Sequence, residues 1–150
     1  MVPSTVEQEI FIEAPVEVVW RIITEPEHIT QWFSDRAEVT PSPGGQGTLT
    51  FAIDATTDVS LPLTVVAAEP PHRFVYRWEY PGGEEPRDGN SLLVEFTLAP
   101  AEAGTLLRVV ESGFDLLDRV DEAKAANAAE HVKGWAEHLA RLQTYAPGQV

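Results

Sequence analysis

Hydrophobic and polar positions change period repeatedly along this chain, and the changes mark its elements. Residues Thr5–Ile12 are rich in strand formers and are stopped by Ala14-Pro15. From there Val16, Val19, Trp20 and Ile23 recur at helical spacing, and Pro15 suits a first helical turn, where its missing N–H costs nothing. Pro26 restarts the chain, and Ile29, Trp32 and Phe33 repeat the i, i+3, i+4 pattern, so two short helices are predicted. A run of strands follows. Residues 48–53 put Leu49, Phe51 and Ile53 on one face, and residues 61–68 are apolar and β-branched. Residues 73–80 alternate, with Phe74, Tyr76, Trp78 and Tyr80 on one side and Val75, Arg77 and Glu79 on the other. Residues 91–98 align Leu92, Val94, Phe96 and Leu98, and residues 106–111 close the series. Pro- and Gly-rich stretches at 41–47, 70–71, 81–89 and 100–104 supply the turns.

Residues 116–145 return to the helical period, rich in alanine and free of proline, with the stripe Ala128, Val132, Trp135, Leu139 and Leu142. The predicted order is strand, two short helices, about six strands and one long helix. This is an α+β fold in which a curved antiparallel sheet wraps the C-terminal helix, one domain over 1–150.

Composition narrows the function. The 150 residues include no cysteine, which removes disulfide scaffolds, thiolate metal sites and cysteine nucleophiles. Ten Lys+Arg against 24 Asp+Glu leave a net charge of -14, which repels phosphate backbones and anionic lipid headgroups. Neither nucleic acid nor a membrane is expected as a partner. The opening MVPSTVEQEI has no basic or apolar leader pattern, so a cytoplasmic location is the simplest expectation. There is no phosphate-binding glycine loop, since Gly44-Gly45-Gln46-Gly47 precedes a strand and lacks Lys-Ser/Thr, and no Gly-x-Ser-x-Gly elbow.

Specific residues carry a family likeness. They are Ile12-Glu13-Ala14-Pro15-Val16-Glu17-Val18-Val19-Trp20, then Ile23-Thr24-Glu25-Pro26-Glu27 leading to Trp32-Phe33. They continue with Glu69-Pro70-Pro71, the Phe74, Tyr76, Trp78 alternation, Glu111-Ser112-Gly113-Phe114, and Gly134-Trp135 with Leu139 and Leu142. In order and spacing, over nearly the whole chain, these resemble the START-like (SRPBCC) superfamily. The branch they are most similar to is the homologues of the activator of the heat-shock-protein-ninety ATPase, in its C-terminal domain. The resemblance implies a helix-grip fold with a cavity between the concave sheet and the last helix. It implies no single activity, because the superfamily includes lipid and hormone carriers, aromatic polyketide cyclases and co-chaperone domains.

Candidate chemistry centres on that cavity. Trp32, Phe33, Phe51, Tyr76, Trp78, Phe96 and Trp135 fall on predicted inward faces, as the walls of a pocket for an apolar or aromatic ligand or as ordinary core. Glu111 shares its face with Leu107 and Val109 and so points toward the helix. A carboxylate there is costly unless paired or hydrated, and the end of the strand is expected to carry Glu111 to solvent at the cavity mouth. His131 and His138 flank the helix stripe, and His131 either bridges helix and sheet or pairs with Glu111 as an acid–base couple. Metal binding is not expected from two histidines seven residues apart with no evident third ligand, and no cofactor is implied. His28 and His72, beside prolines, read as surface residues. Arg73, Arg77 and Arg108 alternate outward, with Leu93, Leu106 and Val110, on a face that a homodimer would cover.

Three readings follow. The first is a module binding a small apolar or aromatic ligand. The second is a co-chaperone-like domain with a heat-shock chaperone as partner. The third is a cyclase or dehydratase using Glu111 with His131.

Overall fold

The computed structural model describes residues 2–150. In chain order the elements are β1 (Thr5–Ile12), α1 (Val16–Thr24), α2 (Pro26–Trp32), β2 (Arg36–Val39), β3 (Gln46–Ala52), β4 (Asp58–Glu69), β5 (Arg73–Trp78), β6 (Leu92–Ala101), β7 (Gly104–Ser112) and α3 (Asp121–Tyr145). One curved antiparallel sheet runs β1-β7-β6-β5-β4-β3-β2, so the first strand closes against the last. The α+β helix-grip architecture predicted from the pattern is the one observed. Six strands do follow the helices, including the short β2, which no alternating run in the sequence marks.

Local chemistry sets the joints. Glu25 is at once the C-cap of α1 and the N-cap of α2, and Pro26 opens α2 at its first turn, so the two helices meet at an abrupt corner. Pro15 is the N-cap of α1 rather than its first helical residue. Gly113, at φ 101, takes the left-handed conformation that turns the chain out of β7 into a short 3-10 turn, Phe114–Leu116. That turn delays α3 to Asp121, five residues beyond the expected start. Leu117 is extended, and Asp121 and Glu122 place negative charge on the first turn of α3.

Two expected faces need correction. Val132 is not part of the buried stripe of α3: it is 49% exposed, whereas Ala128, Trp135, Leu139 and Leu142 are buried. Ile53, beyond the end of β3, is likewise 64% exposed. Ile53 lies in the turn that follows β3, and Val132 lies on the flank of α3 beside β1, where Gln8 reaches its carbonyl. The outer face matches its alternation, with Arg73 paired to Glu95 and Glu69, Arg77 to Asp88 and Arg108 to Glu7.

The helix is anchored along β1 by two side-chain bonds to backbone: Gln8 Nε2 donates to Val132 O at 2.8 Å and Gln143 Nε2 to Phe11 O at 2.6 Å. Inside, Trp32 donates its indole N–H to Ile22 O at 3.0 Å, and its ring meets Phe96 edge-on. The space enclosed by Trp32, Leu49, Leu63, Phe74, Tyr76 and Phe96 is about 10 Å³, scarcely one water. Leu139→Ala, at a position 1% exposed, is expected to cost about 2–5 kcal/mol, and Val132→Ala less than about 0.5 kcal/mol. Urea unfolding of both variants checks the assignment of the α3 face, and equal losses would refute it.

Candidate functional site

Glu111 is the one acid wholly withdrawn from solvent, at 0% exposure among the described residues. Three N–H groups converge on it. Trp78 Nε1, at the end of β5, donates to Oε2 at 2.7 Å, and Trp135 Nε1, on α3, donates to Oε1 at 2.8 Å. His131 Nδ1, one turn earlier on α3, lies 2.7 Å from Oε1. A carboxylate accepts only, so this set of donors satisfies its charged form and offsets its desolvation. The expectation that Glu111 reaches solvent is therefore overturned. β7 continues to Ser112 before turning at Gly113, and Phe114 folds back against the His131 ring at 5.3 Å between centroids.

A second carboxylate completes the group from the other side. Glu79 Oε2 lies 3.2 Å from His131 Nε2. Alternation placed Glu79 on the outer face with Val75 and Arg77. The strand ends at Trp78, however, and Glu79 adopts φ 64, which swings its side chain inward. No residue pattern marks that reversal.

The result is a file of groups, Glu111–His131–Glu79, running from the core to a cleft of about 260 Å³. The cleft lies between α3 and strands β3 to β5. Phe33, Phe51, Leu61, Trp78 and Trp135 form its apolar walls, and Glu79, Glu130, His131, Gly134 and His138 its remaining lining. Of the residues singled out in the sequence, Phe33, Phe51, Trp78, His131 and Trp135 meet here. Trp32, Tyr76 and Phe96 surround the filled interior instead, and Glu111 sits behind the cleft wall. The alternation brought them all inward but carries no information on depth. Gly134 had a signal, as a glycine in an alanine-rich helix. His28, expected at the surface, is half-buried and bonds Tyr145 OH through Nδ1 at 2.8 Å.

Electrostatics follow the burial. Desolvation pushes the Glu79 carboxyl up to about 7; His131 and Arg119 oppose the rise, and Glu111 and Glu130 add to it. Burial works against charging His131, but its hydrogen bond to Glu111 and the charges of Glu111, Glu79 and Glu130 outweigh it and raise its pKa. His138 is held below the ordinary value by burial and by Arg141, the opposite direction from His131. Burial, then Glu111 and Glu79, push the Tyr76 phenol well up, and its hydroxyl has no hydrogen-bond partner among the described residues.

Glu79, Glu111 and His131 bring ligating atoms within 4.8 Å of one another, the third ligand that the histidine spacing alone lacked. Yet both Glu111 oxygens accept N–H donors, and both His131 nitrogens face carboxylates. This donor set serves proton positioning better than a metal.

A family model described as "Activator of Hsp90 ATPase homolog 1-like protein" matches residues 13–146. Among solved structures, protein MLL2253 from Mesorhizobium loti is 28% identical, with 93% of this chain and 94% of that one aligned at a TM-score of 0.75. The Aha1 dimer from Colwellia psychrerythraea shares the fold at 17% identity, 96% of each chain and a TM-score of 0.72. DynU16, described as a putative protein in the dynemicin biosynthetic locus, shares it at 24% identity and a TM-score of 0.75, over 98% of this chain but 49% of that one. No curated protein matches the sequence significantly.

Two outcomes test the site's electrostatics. Glu111→Gln sets an amide N–H₂ against an indole or imidazole N–H and is expected to cost about 1–3 kcal/mol in urea unfolding; an unchanged midpoint would refute the buried acceptor role. Glu79 holds its proton more tightly folded, near 7, than at its ordinary 4.5, so its contribution to stability falls as pH rises through that interval. The raised His131 loses its contribution in the same direction, above its ordinary 6.5. Glu79→Gln is expected to flatten this decline, by at most about 1.4 kcal/mol per pH unit for one proton. Unfolding at pH 5, 6, 7 and 8 measures the slope, and a wild-type slope in the variant would refute the assignment.

Proposed function

We propose that this chain, which belongs to the activator of Hsp90 ATPase homolog 1-like family, binds a small, mostly apolar aromatic molecule in the cleft between α3 and strands β3 to β5. The observation that carries this reading is Gly134. A glycine inside a helix costs about 1 kcal/mol relative to alanine, and the surrounding helix is alanine-rich. A Cβ at Gly134 would meet no atom within 4 Å among the described residues apart from its chain neighbours and its own helix backbone, so packing does not demand the glycine. It borders the cleft, and what its missing side chain preserves there is open space.

The size and lining support one or two fused rings as the ligand. A volume of about 260 Å³ lies just below the usual range for ligand pockets. Burial of about 200 Å² of apolar ligand surface would contribute about 5 kcal/mol before the costs of association, in keeping with a weak, millimolar-to-micromolar receptor.

A second reading, acid–base catalysis of the cyclase or dehydratase kind, is favoured by the His131–Glu79 pair at the cleft with Glu111 behind it. A carboxyl near 7 is suited to proton transfer at neutral pH. In this reading Glu111 is a positioning residue, and Glu79 and His131 face the substrate. Recovery of a bound compound unchanged favours binding; conversion that Glu79→Gln abolishes favours catalysis. The family description supports a chaperone partner as a third reading, which stimulation of a chaperone ATPase by the pure protein would test. Leu93, Leu106 and Val110, half-buried on the outer face, are the surface for a homodimer, and a monomer in sedimentation at high micromolar concentration would remove it.

Gly134 gives the direct experiment. Gly134→Ala is expected to raise stability by about 0.5–1 kcal/mol. Gly134→Leu should occupy the cleft with little change in far-ultraviolet circular dichroism. A panel of neutral and charged one- and two-ring aromatics, titrated against tryptophan fluorescence, should yield binders of the wild type that Gly134→Leu no longer takes. Binding that survives this variant undiminished overturns the cleft as the site.

A further inference from the structure

We propose that the cleft selects an organic cation, an aromatic or alkylated ammonium whose charge meets Glu79 and whose body rests on the rings of Phe33, Phe51, Trp78 and Trp135. This rests on the cleft being a ligand site and specifies the class of ligand.

Two carboxylates, Glu79 and Glu111, flank a single imidazole, and the other donors to Glu111 are neutral indoles. With His131 protonated, the file carries one net negative charge. That charge falls at Glu79, the member that lines the cleft and is still 22% exposed, because Glu111 is enclosed by its three donors. Nothing in the lining neutralises it: no lysine or arginine borders the cleft among the described residues, and the Glu130 carboxylate adds to it. Arg119, from the segment leading into α3, acts on Glu79 through its field but makes no ion pair within 4.0 Å among the described residues.

The walls of the cleft are aromatic. Phe33 lies 5.3 Å from Trp135, 5.4 Å from Phe51 and 5.6 Å from Trp78 between ring centroids, and the two tryptophans lie 6.3 Å apart. A cluster of π-systems beside a carboxylate that shares its one cationic partner, His131, with Glu111 is the chemistry that recognises quaternary and aromatic ammonium ions. A neutral ligand would strip water from Glu79 and leave the net negative charge of the file unbalanced, and an anion would be repelled. The positive φ of Glu79 fits this account, since an unfavourable backbone conformation brings in a second carboxylate where His131 already had one. The net charge of -14 would also draw cations toward the molecule.

Absent a ligand, a proton at Glu79 does the same neutralising, so cation and proton compete. The groups facing Glu79 in that competition are His131, Glu111, Arg119 and Glu130.

Phenyltrimethylammonium and tert-butylbenzene have the same shape and differ in charge, and calorimetric titration of the intact protein with each separates the arguments. At pH 8 the cation is expected to bind at least tenfold tighter than the hydrocarbon, with release of protons near pH 7 seen as a dependence of heat on buffer ionisation. The preference should shrink severalfold at pH 5.5, and Glu79→Gln should reduce it about tenfold at pH 8. Hydrocarbon binding as tight as cation binding, or a preference unchanged in Glu79→Gln, overturns the cation assignment and leaves the aromatic cleft standing. Binding of neither compound above that of Gly134→Leu overturns the cation assignment; if the wider aromatic panel also fails, the cleft reading falls with it.

Discussion

The arrangement depends on how one buried carboxylate is satisfied. Glu111 has no contact with water, and an isolated carboxylate in that position would cost far more than the few kcal/mol that separate most domains from unfolding. Its donors come from β5 and α3, so satisfying Glu111 fixes the distance between the sheet and the helix. Trp135 and His131 are four residues apart and therefore share one helix face, and Trp78 closes the set from across β6. A wholly apolar contact there could slide by a fraction of a turn; three N–H donors directed at two oxygens cannot without breaking a bond.

That constraint explains where space is left. Beneath α2 the large side chains interdigitate and the interior is filled. At the end of β5 the indoles of Trp78 and Trp135 are held by Glu111 and cannot rotate to close the gap between α3 and β3 to β5. Gly134 contributes no side chain to fill it, and Glu79, turned inward past the last residue of the strand, lines its edge. The cleft is thus a consequence of the polar anchor. Its chemistry, aromatic walls with a carboxylate and an imidazole, is the same anchor extended outward by His131.

The anchor also links the site to pH. His131 has a carboxylate at each nitrogen, and Glu79 sits near 7 because burial disfavours its charge. A molecule entering the cleft would therefore meet a group that changes charge near neutrality, and its binding would be joined to protonation and stability in one equilibrium.

The sequence by itself determined the elements and the side each strand presents. Periods of two and of three to four residues are local, and Phe74, Tyr76 and Trp78, or Leu107, Val109 and Glu111, announce their shared face without reference to anything distant. It determined as well that the long helix follows the strands, and through motifs spread from Ile12 to Leu142 it pointed to the family. The tertiary structure decided what depends on neighbours and on single dihedrals. Whether Glu111 was a wet rim residue or a buried acceptor depended on two tryptophans and a histidine distant in the chain. Glu79 joined the site through one positive φ, which alternation cannot encode. Val132 fell outside the core although it shares the spacing of the α3 stripe, and Trp32 and Phe96 went to the packed interior while Phe33 and Trp78 reached the cleft. A repeating pattern specifies direction, and depth and partnership are properties of the closed surface that forms when those directions meet.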